Sequence, residues 1–303
     1  MHKKQIALLM AGLMTVSSLT MGSVTVMADD DPVELYFMFN GPEYTDAYHD
    51  LIDHYTEEHP NVSIELEVLQ NDYQTVLRSS LNSGEVPDLF LSSAYSDNTL
   101  YADYIYNLDD EEFMKNFSET TLTSVTEDGH ITGMPFLVQS HGFIYNKALF
   151  EQAGITELPT TLDELRTVCE KLTDAGIQPF SSGFGEWWIL PQTVYPSMSD
   201  AYDGDYDKLF EDVKNGDLKF GELPQVDFAL DLLDLIKEYS GDKPMESTND
   251  LQCSDFATGK VAMIHNGSWD EASIRAIAPD IDMGYVYMPR MDEKAVLAVE
   301  SNL

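Results

Sequence analysis

The sequence predicts an α/β fold, and three observations support this prediction. Short apolar segments rich in β-branched and aromatic residues alternate with segments whose apolar residues recur at helical spacing. Strands and helices that alternate in this way usually form a sheet with helices on both faces. The chain also has 303 residues, 43% of them hydrophobic, which is enough for one large domain or two smaller ones with packed cores.

The first predicted elements are a strand and a helix. Residues 33–39 form a short apolar run with strand character, and the turn signal Asn40-Gly41-Pro42 follows it. A helix is expected next, and Pro60 ends it. Helical spacing places five apolar residues on one side of this helix: Ala47, Tyr48, Leu51, Ile52 and Tyr55.

The same alternation continues after Pro60. Residues 62–68 alternate between apolar and polar, which indicates a half-buried strand. A second helix is predicted over residues 73–81, where the Asn82-Ser83-Gly84 sequence ends it, and the apolar run 89–91 predicts a third strand.

Ligands of such sheets bind at the carboxyl ends of the strands, so the loops after the first and third strands are candidate binding loops. They contain side chains that donate and accept hydrogen bonds, and the predicted contacts are Asn40, Glu43, Ser93 and Tyr95. The alternative for each of these residues is a local role in a turn or a helix cap.

Two further helices are predicted in the second half of the chain. The first covers residues 161–175, because Thr161 and Glu164 have the spacing of a capping box and Gly176 follows. Cys169 falls on its apolar face, which favours a buried thiol; a disulfide to Cys253 remains the alternative. The second covers residues 225–239, after Pro224.

Charge and cysteine content exclude several classes of protein. The chain has 16 Lys and Arg against 54 Asp and Glu, a formal net charge of −38. Without a basic surface, neither nucleic acid nor an anionic membrane is expected as a partner. Two cysteines are too few for a cysteine-based zinc or iron–sulfur site or for a disulfide-stapled scaffold.

The first 28 residues have the features of a secretory signal peptide. Two lysines precede an uncharged stretch, residues 6–26, and Val26-Met27-Ala28 is a small-x-small cleavage site. The alternative is an uncleaved membrane anchor. No cysteine near the cleavage site is available for lipid modification, so the mature chain is expected to be soluble outside the cytoplasm.

Two blocks of sequence resemble the signature of the bacterial extracellular solute-binding proteins of family 1, the carbohydrate-binding subunits of ABC importers. The first block comprises Gly133-Met134-Pro135-Phe136, residues 142–150, Ala153-Gly154 and residues 158–165. The second comprises residues 256–263, Asn266-Gly267-Ser268-Trp269 and Met288-Pro289. The two blocks occur in this order behind a secretion signal, and the resemblance extends from about residue 33 to residue 289.

The resemblance implies a two-lobed clamp of the periplasmic-binding-protein type. Lobe 1 would cover residues 29–138, a hinge crossing residues 139–141, and lobe 2 residues 142–287. Residues 288–303 would return to lobe 1, whose C-terminal part is expected to be missing from this chain. A sugar would bind between the lobes, and the closed form would be recognised by the permease subunits of the transporter. No cofactor is implied, and a monomer is expected.

The three tryptophans independently suggest a sugar site. Sugar rings have apolar C–H faces and hydroxyl edges, so they bind to flat aromatic rings flanked by amide or carboxylate groups. The predicted contacts are Glu186, Trp187, Trp188, Asn266 and Trp269. The alternative is that these indoles belong to the core, and at least one of the adjacent pair is expected to do so.

By family analogy, the hinge residues Gln139, Ser140 and His141 face the cleft. For His141 the alternative is a hydrogen-bonded surface histidine. The predicted ligand-binding set therefore includes Gln139 and Ser140.

Three other interpretations remain open. A secreted glycoside hydrolase would need only two suitably placed carboxylates, which a chain this acidic could supply. A truncated fragment without function is the second. The third is a calcium loop beginning at Asp203, Asp205 and Asp207; it is disfavoured because Lys208 and Lys214 replace the glycine and the closing glutamate.

Overall fold

The computed structural model describes residues 31–69, 72–93, 97, 100–198, 201–204, 206–289, 291 and 298–302. The predicted signal peptide, Tyr95 and Asp205 lie outside these residues. The chain divides into two compact units, and the division falls between Val138 and Gln139. Unit 1 comprises the chain up to Val138 together with Ser301–Leu303, and unit 2 runs from Gln139 to Glu300. Within the described ranges, no helix is both long and apolar enough to cross a membrane.

Unit 1 contains a small parallel sheet, an antiparallel hairpin and short helices. Its strands are β1 (Val33–Asn40), β2 (Val62–Leu69), β3 (Leu89–Phe90), β4 (Thr126–Glu127) and β5 (His130–Ile131). Its α-helices are α1 (Thr45–Glu58), α2 (Tyr73–Ser83) and α3 (Glu119–Thr123), with 3-10 turns at Pro42–Tyr44 and Glu112–Asn116.

The strand order β2-β1-β3 makes β1 the centre of the parallel sheet. It pairs with β2 from Val33 opposite Val62 to Asn40 opposite Leu69, and with β3 on its other side. The chain passes from β1 to β2 on one side and then from β2 past β1 to β3 on the other side. Because the three strands are parallel, the loops after β1 and β3 begin at the same end of the sheet. This is the end at which the sequence predicted a binding site.

The core of unit 1 lies between the sheet and its helices. Leu35 and the three consecutive residues 37–39 of β1 are buried together with tyrosines of α1 and α2. The predicted apolar side of α1 is only partly correct: Tyr48 and Tyr55 are buried, whereas Leu51 is 41% exposed. The helix turns Leu51 away because the small sheet covers only a narrow strip of its surface.

Unit 2 is larger and has a mixed sheet. Its strands are β6 (Leu137–Asn146), which begins just before the division, β7 (Gln178–Ser181), β8 (Val261–Gly267), β9 (Met283–Val286) and β10 (Ala298–Asn302). Its α-helices are α4 (Lys147–Gln152), α5 (Leu162–Asp174), α6 (Pro191–Met198), α7 (Tyr206–Asn215), α8 (Pro224–Glu238), α9 (Asn249–Ala257) and α10 (Glu271–Ile277). Turns of 3-10 helix lie at Ala201–Gly204, Phe220–Glu222, Pro244–Glu246 and Ser268–Asp270.

The sheet of unit 2 has the order β10-β6-β8-β7, and β9 also pairs with β6. β8 runs antiparallel to β6 and parallel to β7. Apolar side chains cover both faces, since Phe143 belongs to one buried cluster and its neighbour Ile144 to another. The α/β class with a doubly covered sheet is therefore confirmed for unit 2.

Helix α5 is the most accurately predicted element. The Thr161 hydroxyl accepts a hydrogen bond from the Glu164 N–H at 3.2 Å, and the Glu164 carboxylate accepts one from the Thr161 N–H at 3.2 Å. This is the predicted capping box. Cys169 is fully buried on the apolar face, as expected, and both it and Cys253 are free thiols, so the alternative disulfide is not formed.

Candidate functional site

Two segments of unit 2 carry the three tryptophans. Residues 183–188 follow β7, and residues 266–270 extend from the end of β8 into the 3-10 turn. The rings of Trp188 and Trp269 meet edge to face, with centroids 6.1 Å apart and an interplanar angle of 68°. Both are half-buried, whereas Trp187 is 65% exposed. Trp187 therefore lies at the surface of unit 2, whereas Trp188 packs against its buried core cluster, as expected for one of the adjacent pair, and also contacts Trp269.

Gly267 allows the Trp269 ring to fold back onto the end of β8. A β-carbon at position 267 would lie 2.2 Å from the Cζ3 atom of that ring. Because φ at Gly267 is an ordinary −128°, this position needs glycine for space and not for backbone freedom. The missing β-carbon at Gly267 therefore leaves the space that the indole of Trp269 occupies.

Asn266 is the first residue of the second tryptophan segment and is fully buried. Its Nδ2 donates to Asn249 Oδ1 at 2.6 Å and to Gln252 Oε1 at 2.7 Å, and its Oδ1 accepts from the Gly267 N–H at 2.9 Å. Both the Nδ2 and the Oδ1 atoms of Asn266 are therefore hydrogen-bonded within the protein. This differs from the expected surface contact, because neighbouring strand residues point to opposite faces and Asn266 points inward.

Glu186 and Asp270 extend the same hydrogen-bond network. The Glu186 carboxylate accepts from the Asn249 backbone N–H at 3.3 Å, at the first turn of α9. The Asn249 side chain donates from Nδ2 to Asp270 Oδ1 at 3.1 Å. Glu186 is half-buried and Asp270 is buried, so the network runs from the interior of unit 2 towards the tryptophans.

The residues predicted at the crossing lie at the start of unit 2. Gln139 is buried, and the Ser140 N–H donates to the Ser268 hydroxyl at 3.2 Å, next to Trp269. His141 is only 5% exposed, so the alternative of a surface histidine is wrong. It is paired with Gly267, so its side chain lies on the sheet face that the Trp269 ring covers.

His141 has a second buried histidine on the same face of the sheet. His265 is fully buried, and no hydrogen-bond partner for either of its ring nitrogens exists among the described residues. Burial lowers the pKa of His141 to about 4 and, with the nearby His141, lowers that of His265 to about 3. Both rings are therefore neutral at physiological pH.

Unit 1 has its own candidate cluster at the end of β1. The Asn40 side chain accepts from the Gly41 N–H at 2.8 Å, and the Ser93 N–H donates to Asp97 at 2.9 Å. Both interactions are local turn contacts, which was the alternative for Asn40 and Ser93. Glu43 is half-buried, and burial raises the pKa of its carboxyl.

Aromatic rings lie beside Glu43. The Tyr48 ring stacks on Phe136 with centroids 5.9 Å apart and lies 6.3 Å from the Tyr44 ring. The Tyr48 hydroxyl is buried and has no hydrogen-bond partner among the described residues. Unit 1 therefore combines a half-buried carboxylate with aromatic rings. This is a second group of residue types that suits sugar binding.

Sequence reasoning missed the interior residues of the unit 2 network: Asn249, Gln252 and Asp270. A signal was available for the first two, because Asn249, Gln252, Cys253 and Phe256 follow helical spacing and share one face of α9. Two amides on a buried face need partners, which indicates a polar network.

Among the described residues, no group of three or more His, Cys, Asp or Glu is placed to hold a metal ion.

Comparison with known proteins gives relatives that are named as binding proteins. An uncharacterized ABC transporter extracellular-binding protein of Pyrococcus horikoshii is 26% identical, with 95% of this chain and 70% of the relative aligned. The diacetylchitobiose-binding protein DasA of Streptomyces coelicolor is 28% identical over 72% of this chain, which spans 51% of that relative. The structure of a chitin oligosaccharide binding protein superimposes with a TM-score of 0.75 at 22% identity, covering 90% of this chain and 72% of the other.

The solved structure shows the fold, that of the two-lobed sugar-binding proteins. A sequence model described as bacterial extracellular solute-binding protein matches residues 41–289. This match covers both tryptophan segments and most of the chain. The protein therefore belongs to the family of bacterial extracellular solute-binding proteins.

Proposed function

We propose that this protein captures a carbohydrate outside the cytoplasm and delivers it to the permease subunits of an ABC importer. Family membership supports the importer, and the name of the Streptomyces relative supports a sugar. The observation that carries the proposal is the contact between Trp188 and Trp269, whose two segments are joined by a buried amide network. The proposal extends to a protein that works as a monomer and leaves the sugar chemically unchanged.

The chemistry of the unit 2 site fits a polyhydroxyl ligand. Indole faces pack against the C–H face of a pyranose ring, while nearby amide and carboxylate groups satisfy hydroxyls at its edge. Aromatic rings that are already held in place lose little entropy when a ligand binds. The buried amide network holds the segments that carry Trp188 and Trp269. The net charge of −38 disfavours acidic sugars, so we propose a neutral oligosaccharide.

Individual ligand contacts remain predictions. Trp187, Trp188 and Trp269 are proposed as stacking surfaces, and Glu186 as a hydroxyl partner through the oxygen that does not face α9. Asn266 is reassigned to holding the site together. The remaining predicted contacts are Asn40, Glu43, Ser93, Tyr95, Gln139 and Ser140.

A tryptophan substitution tests the stacking role. Trp269→Ala should weaken binding of chitin or maltose oligosaccharides at least tenfold, because it removes an aromatic surface that the ligand desolvates. Intrinsic fluorescence of the remaining indoles, titrated with sugar, measures the affinity. Phe210→Ala, which removes a 61% exposed aromatic ring from α7, is the matched control and should bind as the wild type does.

Equal affinity in Trp269→Ala and wild type would contradict the assignment of this ring to the ligand. Chromatography of the sugar after incubation separates binding from the glycoside hydrolase alternative. Intact sugar agrees with the proposal, whereas shorter products would replace it with hydrolysis.

A further inference from the structure

Asn249 contacts both segments that carry the tryptophans. Its backbone N–H binds Glu186, the residue before Trp187 and Trp188, at 3.3 Å. Its side chain binds Asn266 at 2.6 Å and Asp270 at 3.1 Å, on either side of Trp269. A single residue at the start of α9 therefore links two segments that are 80 residues apart in sequence, counted from Glu186 to Asn266.

Gln252 holds the strands from which these segments extend. Its Nε2 donates to the carbonyl oxygens of Ser181 at 2.7 Å and His265 at 3.3 Å. Ser181 is the last residue of β7, and His265 lies two residues before the end of the adjacent parallel strand β8. The Gln252 Oε1 accepts a hydrogen bond from Asn266 Nδ2, which also donates to Asn249. Asn266 therefore connects Gln252 with Asn249.

These bonds act together because they are buried. Gln252 and Asn266 have no exposed surface, and Asp270 is only 2% exposed. Turning either amide by half a turn would break three hydrogen bonds at once and leave donors facing donors and acceptors facing acceptors, without water to replace the lost partners. The network therefore has one favourable arrangement, and that arrangement fixes both tryptophan segments to α9.

We propose that Asn249 and Gln252 are positioning residues of the sugar site, which set the edge-to-face placement of Trp188 against Trp269. This inference rests on the proposed function. The two amides act on the ligand through the indoles that they hold, so their loss should alter sugar affinity and indole geometry more than it alters stability.

A reciprocal exchange tests the inference. Asn249→Asp should place a carboxylate against Asp270, remove the Nδ2 donor, and weaken sugar binding at least tenfold. The double variant N249D/D270N restores a donor and an acceptor between the two positions, with donor and acceptor exchanged. It should recover affinity to within about threefold of wild type. Titration calorimetry with the sugar that the wild type binds best gives the affinities.

Two controls separate a positioning role from a general loss of stability, and a further variant is available if Asn249→Asp does not fold. Asp250→Asn changes an exposed neighbour on α9 and should bind normally. Leu172→Ala removes a fully buried side chain of α5 and should lower Tm without changing affinity. The milder variant Asn249→Ala should also weaken sugar binding. It replaces Asn249→Asp in this test if Asn249→Asp does not fold.

The sugar-free protein supplies an independent readout. Circular dichroism of the coupled indole pair should decrease in Asn249→Asp and return in the double variant, whether or not a sugar is known. Failure of the wild type to bind any sugar would overturn the proposed function alone. Any of three results would overturn the positioning role. These are unchanged indole coupling in Asn249→Asp, no recovery of affinity in the double variant, and an equal loss of affinity in Leu172→Ala.

Discussion

Two neutral histidines are buried on the sheet face that the Trp269 ring covers, and their burial has a cost that depends on pH. Both His141 and His265 have pKa values below the ordinary value of 6.5, because burial disfavours the charged ring. His141 is also the only titratable neighbour that contributes to the shift of His265 among the described residues. The unfolded chain therefore binds protons at a higher pH than the folded chain does.

The free energy of unfolding should consequently fall as pH drops from about 6.5 towards 4. The contribution of these two histidines to the free energy of unfolding is fully present above their pKa in the unfolded chain. Below their pKa in the folded chain, further acidification should remove no more of it. Urea unfolding at pH 7.5, 6 and 5, followed by tryptophan fluorescence, measures the effect. His265→Phe, which keeps an aromatic ring beside Phe143, should flatten the pH dependence, whereas the exposed His54→Gln should not. An identical slope in His265→Phe and wild type would contradict this account.

The direction of individual side chains was only partly predictable at this scale. The sequence shows that aromatic and amide residues occur together at 266–269, and it predicts a sugar site there. Which residue faces inward depends on the register of β8 against β6, where Asn266 pairs with Gly142. A shift of one residue would move Asn266 to the opposite face of the sheet, away from α9, and a single sequence does not define that register.

Element boundaries were most predictable where a local hydrogen bond sets them. The limits of α5 follow from the Thr161 and Glu164 pair, which lie three residues apart and need no distant contact. The β4–β5 hairpin has an equally local cause, since Asp128 and Gly129 both have positive φ, at 50° and 81°. The exposure of Leu51 on α1 was not predictable, because it depends on how much of the helix the sheet covers.

The capping box gives a prediction for α5. Thr161→Ala should lower the free energy of unfolding by about 1 kcal/mol, because it removes the side-chain acceptor for the Glu164 N–H. Thr167→Ala makes the same chemical change at an exposed position within the helix and should be nearly neutral. Chemical denaturation of both variants checks this expectation. Equal destabilisation by the two substitutions would show that the cap contributes nothing special.

At the scale of the whole molecule, the sequence predicted the α/β class and the family, because both depend on repeated patterns and ordered motifs. It did not predict the network that joins Glu186, Asn249 and Asn266, because these residues meet only after β7, β8 and α9 have packed. Each of the three is polar and would be unremarkable on a surface. Their role comes from burial, which local sequence patterns indicate only weakly.

The most direct test of the central claim is calorimetric titration of the purified protein with a panel of neutral oligosaccharides of the chitin, maltose and raffinose types. At least one of these sugars should bind saturably, with one sugar per chain and the sugar recovered intact. Absence of heat for every sugar, or recovery of cleaved products, would contradict it.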